Sequence, residues 1–263
     1  MIRCLLILCI ACGAVCSQAQ SYSVIHVLGK IYDMRTKSYL RPGVKLEATS
    51  SLKFETPDAK AAVLSPSKGR FILQQSGSAT EQHDLVYTLS ALITPVKGRL
   101  STRAGAIAGD VDLVKKFSEG PVAFIGDRYA VTISPVAFPM NATRYFYATF
   151  MYRNERINKR LYNRGDTLIF ERPSFFSVDG RPVDPLETSD HELIYMEEDL
   201  SNYSSWKGPN FVLVSDADLS LLADGVKDLK GQERIAAVQE LIASLYGAVT
   251  EEEVRLALKR LGK

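Results

Sequence analysis

"RYFYATFMYRNERINKR", residues 144–160, is the stretch on which the architecture turns. Its first nine residues carry two alternating sets: Tyr145, Tyr147, Thr149 and Met151, then Phe146, Ala148, Phe150 and Tyr152. A period of two marks a strand. Both sets are apolar or aromatic, so this strand is central, or else it leaves an aromatic surface for a partner. Burial is the expectation, since aromatic rings carry a large hydrophobic payload. Arg153-Asn154-Glu155-Arg156 interrupts the run, and the whole stretch reads as a hairpin.

The flanking sequence supports a sheet around it. "PVAFIGDRYAVTISP" (121–135) gives two strands hinged at Gly126-Asp127. "DTLIFE" (166–171), "SFFSV" (174–178), "HELIYME" (191–197) and "FVLVS" (211–215) continue it, with "VDGRPV" (178–183) as a turn. Residues 121–215 therefore read as a β-sandwich of immunoglobulin-like size, without the Cys-Trp-Cys pattern of that fold.

A second set of short β runs fills residues 22–95. "YSVIHVLGKIYD" (22–33) has a kink at Gly29, and "LRPGVKL" (40–46) is a turn signal because Pro42 presets φ and Gly43 accepts φ > 0. "SLKFET", "KAAVLS" and "GRFILQ" follow, which is the spacing of a small sheet or barrel. Here "SPSKGR" (65–70) reads as the tip of a hairpin. The competing reading, an anion-gripping loop, has no following helix to lend its N-terminal amides. Residues 97–120, with Gly98, Gly105, Gly109 and Gly120, read as a linker holding one short helix, "DVDLVKKF".

The order Val27-x-Gly29-x-Ile31, Leu40-x-Pro42-Gly43-x-x-Leu46, Leu52-x-Phe54, Ala61-x-Val63 and Gly69-x-Phe71 resembles a FecR-type periplasmic β-domain over residues 24–73. FecR regulators proper also have a membrane helix and a cytoplasmic anti-sigma segment. The resemblance therefore implies a periplasmic β-module and carries over no signalling role. The full-length pattern, with "DRYAVTISPVAFPMNATRYFYATFMY" and "GDTLIF", also resembles exported envelope proteins of the Bacteroidota. That likeness implies an envelope location and no particular activity.

The C-terminus changes to helix. "DADLSLLADGVKDL" is a short helix capped near Ser215 or Asp216. "QERIAAVQELIASLYG" aligns Ile235, Val238, Leu241, Ile242 and Leu245 on one face and stops at Gly247. Thr250-Glu251-Glu252-Glu253 is a capping box for "VRLALKRL", with acids first and Lys259 and Arg260 last, matching the helix dipole. The two helices form a hairpin that docks on the β body or, through residues 231–261, on a partner.

The N-terminus places the protein in the export pathway. "MIRCLLILCIACGAVCSQAQ" has one early charge, Arg3, an apolar stretch from Leu5 to Val15, and a small-x-small site ending at Ala19. Cleavage there leaves Gln20 first and removes all four cysteines, Cys4, Cys9, Cys12 and Cys16. A lipoprotein anchor competes, but neither Cys12 nor Cys16 has Leu three residues before it. A mature chain without cysteine has no disulfides, thiol nucleophile or cysteine-bound zinc. The net charge of +2, falling to about +1 without Arg3, gives no case for nucleic-acid binding, and no later run of 18 apolar residues predicts a transmembrane span.

Catalytic signatures are sparse. No Gly-x-Ser-x-Gly, Walker loop or Gly-x-Gly-x-x-Gly is present, and His26, His83 and His191 form no close pair. "DADLSLLADG" lacks the glycine and glutamate of a calcium loop, having Leu221 and Lys227 in those places. Arg164-Gly165-Asp166 is most simply a turn before "TLIF". Charge is the feature that stands out. Arg153, Arg156, Lys159, Arg160 and Arg164 crowd residues 153–164, while residues 184–199 hold seven acids and no Lys or Arg. These are solvated or mutually paired loops, or a basic patch that meets an anionic envelope component or an acidic partner protein.

The expected organisation is mainly β with an α tail: signal peptide 1–19, N-terminal β domain 20–96, linker 97–120, β-sandwich 121–215 and helices 216–263. The expected role is binding or assembly at the envelope, in periplasm or at the cell surface, without cofactor or metal. The rival is a secreted hydrolase whose site gathers dispersed carboxylates.

Overall fold

A computed structural model describes residues 21–56, 59–65, 69–75, 86–88, 93–95, 107–118, 120–197 and 199–263. The leader, the Pro66–Lys68 hairpin tip and His83 lie outside the described residues. The chain is mainly β, in several sheets, with helices at its C-terminal end.

The N-terminal module is built from β1 (Ser21–Leu28), β2 (Ile31–Asp33), β3 (Ser38–Tyr39), β4 (Lys45–Glu47), β5 (Ser51–Phe54), β6 (Lys60–Ser65), β7 (Gly69–Gln74), β8 (Val86–Thr88) and β9 (Ile93–Pro95). One sheet has the order β4-β1-β6-β7-β9 and the other β3-β2-β5-β8. β6 and β7 pair antiparallel down to Ser65 opposite Gly69, so the stretch read as a hairpin is one. The two sheets share a core that includes Val24, Ile31, Leu46, Leu52, Val63 and Leu73.

The five-stranded sheet is apolar on its other face too. Ile25, Ala62 and Ile72 belong to a second core, formed with the C-terminal helices. Consecutive side chains of a strand point to opposite faces, so Ala61 and Val63 serve one core and Ala62 the other. This explains the unbroken apolar run "AAVL", which a one-sided sheet would not need.

The next segment begins with α1 (Asp110–Phe117) and continues through β10 (Val122–Ile125), β11 (Arg128–Thr132), β12 (Arg144–Tyr152), β13 (Glu155–Arg160), β14 (Tyr162–Arg164) and β15 (Thr167–Glu171). Then follow α2 (Arg172–Phe175), β16 (Ser177–Val178), β17 (Arg181–Pro182), β18 (Thr188–Glu197), β19 (Asp199–Lys207) and β20 (Phe211–Val214). A four-stranded sheet runs β13-β12-β18-β19, a three-stranded one β11-β15-β14, and β10 pairs β20 in parallel. All three contribute to one aromatic-rich core with Phe124, Phe146, Phe170, Tyr195 and Phe211. The expected linker helix is part of this module, because α1 buries Leu113 and Phe117 in the same core.

Two local readings differ from expectation. "SFFSV" is not one strand: Pro173 starts the helical turn α2, and only Ser177–Val178 is extended. β19 carries little strand signal, since "DLSNYSSWK" is rich in Asn and Ser, and its place at the sheet edge with Trp206 against the core fixes it instead.

The tail consists of α3 (Asp216–Asp224), α4 (Gly231–Leu245) and α5 (Glu251–Arg260). Ser215 caps α3 by accepting from the Asp218 N–H at 3.0 Å, and Thr250 and Glu253 form the expected reciprocal capping box. The helices lie between the β modules. Val238, Leu241, Ile242 and Leu245 share one core with Ile25, Ala62 and Ile72 of the N-terminal module and with Ala123 and Val214 of the second. The parallel β10–β20 pair is the wall between two cores, with Val122 and Phe124 turned to one and Ala123 to the other. Close approach sets the glycines here: a Cβ on Gly225 would lie 2.5 Å from Ile25 Cγ2, and one on Gly247, at φ 110°, would lie 2.1 Å from the Pro121 carbonyl oxygen. No helix among the described residues is long and apolar enough to cross a membrane.

Candidate functional site

The β12–β13 hairpin turns at Arg153 and Asn154, with φ of 50° and 66°. Two positive φ values in a two-residue loop match the right-handed strand twist, and Asn tolerates the conformation well. The turn fixes the register Tyr147 opposite Arg160, Thr149 opposite Asn158 and Met151 opposite Arg156. Alternation then sorts the side chains. Phe146, Ala148 and Phe150 are buried, while Tyr145 and Tyr147 on the other face stay half-exposed. The strand is central and also presents an aromatic surface.

That surface continues across the sheet. Tyr145 pairs Met196, which pairs Tyr203, and Tyr147 pairs Ile194. Met196 and Ile194 are buried, whereas Tyr203 is 55% exposed. The rings of Tyr145 and Tyr147 lie 6.4 Å apart, and the Arg160 guanidinium sits 4.0 Å from the Tyr145 ring centroid. Such stacking holds a guanidinium in place and leaves its edge donors open. Burial, with Tyr203, Tyr145 and Glu192 nearby, raises the Tyr147 phenol above its ordinary pKa, so it remains a neutral hydrogen-bonding group.

The five cations singled out by sequence do not form one patch. Arg156 is on the tyrosine face, where it donates to Thr149 Oγ1 at 3.1 Å and to Glu192 Oε2 at 3.0 Å. The Glu192 contact joins it to the acidic 184–199 stretch. Arg160 shares that face and pairs with no carboxylate among the described residues. Lys159 alternates to the opposite side, near Ser177 Oγ at 3.5 Å, and desolvation lowers its pKa against the pull of Asp179. Arg153 is at the hairpin tip, 5.0 Å from the Tyr152 ring. Arg164 ends β14 in the three-stranded sheet, beside the turn at Gly165. Tyr203 was missed by sequence reading, because its strand was; the only signal was its spacing from Trp206.

The two described histidines, His26 and His191, make their contacts in the interior. A bulge at Ile25 in β1 turns His26 toward the helices, where its Nε2 and the Tyr246 hydroxyl are 2.7 Å apart. His191 stacks on Phe150 and meets Thr188 Oγ1 at 2.9 Å. Burial lowers both pKa values. Among the described residues no three His, Cys, Asp or Glu gather as a metal site. Comparison with protein-family models, curated proteins and solved structures finds no match to this chain.

Proposed function

We propose that the protein is an exported, non-enzymatic binding protein of the cell envelope, and that the tyrosine–arginine face of its four-stranded sheet holds an anionic envelope glycan. The observation that carries this reading is the Arg160 guanidinium stacked on Tyr145 beside Tyr147 and the exposed Tyr203. Aromatic faces suit the C–H faces of sugar rings. A guanidinium held flat offers paired donors to a carboxylate or phosphate. The leader-like N-terminus supports an envelope location.

The test is affinity electrophoresis of the mature chain in polygalacturonate, an acidic glycan, against neutral dextran. Retardation is expected in the acidic polymer alone and should weaken with salt, as exposed charge interactions are screened over about 8 Å at physiological ionic strength. Arg160→Glu should weaken binding by about tenfold or more, since charge-assisted hydrogen bonds contribute about 1.5–3 kcal/mol. Arg160 is exposed, so the fold should be unaffected. Binding by this variant equal to wild type at every salt concentration would refute the reading.

A further inference from the structure

A cleft of about 410 Å³ opens where the N-terminal module, the second module and the helical tail meet. Its wall takes Lys60 from β6, Lys115 and Lys116 from α1, Tyr129 from β11, and Thr250 and Glu253 from the start of α5. The volume lies in the range of about 300–1,000 Å³ typical of small-molecule sites.

The charges in this wall do not balance. Among the described residues that line it, Glu253 is the sole carboxylate against three ammonium groups. It is also committed elsewhere: its Oε2 accepts from the Thr250 N–H at 2.7 Å and from Thr250 Oγ1 at 2.8 Å, which caps α5. Lys116 leans over the Tyr129 ring, 5.7 Å from its centroid. Burial lowers the Lys116 pKa, with Glu253 opposing the shift. Lys60 reaches the Ser244 carbonyl at a long 3.4 Å, and Lys115 is exposed at the rim. Ammonium groups partly removed from water and short of counter-charge are costly to hold together. A ligand that brings negative charge into the cleft relieves that cost.

We propose that this cleft binds a small oxyanion, a phosphate- or carboxylate-bearing molecule, with Lys115, Lys116 and Lys60 as its charge partners and the Tyr129 ring as its apolar wall. The site is separate from the tyrosine–arginine face and does not depend on the glycan reading. Its wall exists only while the three parts of the chain are docked, so the ligand binds the folded arrangement and stabilises it by mass action.

The experiment uses the full mature chain, with inorganic pyrophosphate and citrate as probes at constant ionic strength and chloride as the control. A saturable rise in melting temperature is expected with at least one probe and not with chloride. A response to pyrophosphate alone assigns a phosphate ligand, and one to citrate alone a carboxylate. Calorimetric titration should show about tenfold weaker binding in Lys115→Gln, with the unliganded melt unchanged because that side chain is exposed. Lys116→Gln should remove saturable binding, and Arg160→Glu should leave it intact. If Lys116→Gln does not fold, Lys115→Gln decides alone. No saturable rise with either probe overturns the proposal, as does full-strength binding by the lysine variants.

Discussion

Leu241→Ala tests the position of the helical tail. Leu241 is fully buried in a core built mostly by the helical tail, which also takes in Ile25, Ala62 and Ile72 from β1, β6 and β7 and Ala123 and Val214 from β10 and β20. Losing its isopropyl group leaves a cavity that helices and strands of this shared core would have to shift to fill. Buried Leu→Ala changes cost about 2–5 kcal/mol, rising with how poorly the site collapses. For a chain of this length each kcal/mol moves the melting temperature by about 2–4 °C, so a drop of roughly 4–20 °C is expected. The assay is urea and thermal unfolding followed by tryptophan fluorescence and far-ultraviolet circular dichroism. The sole tryptophan, Trp206, packs on the second module's core, while the dichroism reports all parts of the chain. Both probes should shift together, since a core shared between modules couples their unfolding. An unchanged midpoint, or a shift in dichroism with fluorescence unmoved, would refute the view that the tail joins the modules.

Two further expectations concern the His26 seam. Tyr246→Phe removes the hydroxyl 2.7 Å from His26 Nε2 and leaves a buried nitrogen unpaired, at a cost of about 1–3 kcal/mol in urea unfolding; a loss within error would show that the contact contributes nothing. Burial lowers the pKa of His26 and of His191 below the ordinary 6.5, so the unfolded chain binds more protons in acid. Stability should be full above about pH 6.5 and fall below it, by up to about 1.4 kcal/mol per pH unit for each histidine until its folded-state pKa is reached. His26→Gln should flatten that slope, and an acid limb of the same steepness in this variant would count against His26 as a source.

Local chemistry was legible from sequence wherever a few neighbouring residues decide the backbone. Arg153-Asn154 makes its turn, Ser215 and Thr250 with Glu253 cap their helices, and Gly126 hinges β10 to β11, because each depends on contacts within three or four residues. The two-faced apolar pattern of "RYFYATFMY" was also legible, but its meaning was not. Whether Tyr145 and Tyr147 are covered depends on what packs over them, and among the described residues both stay half-exposed. The parallel pairing of β10 with β20 joins segments far apart in the chain, and no turn signal announces it. The cation cluster was dispersed by the same rule of alternation that sorted the tyrosines: neighbours in sequence, Lys159 and Arg160 point to opposite sides of one strand. The sequence thus determined most of the strands, the turns and the caps, whose energies are local, but not β19, which its place at the sheet edge fixes. The tertiary structure alone decided which apolar face meets which, because that choice rests on burying surface from the whole chain at once.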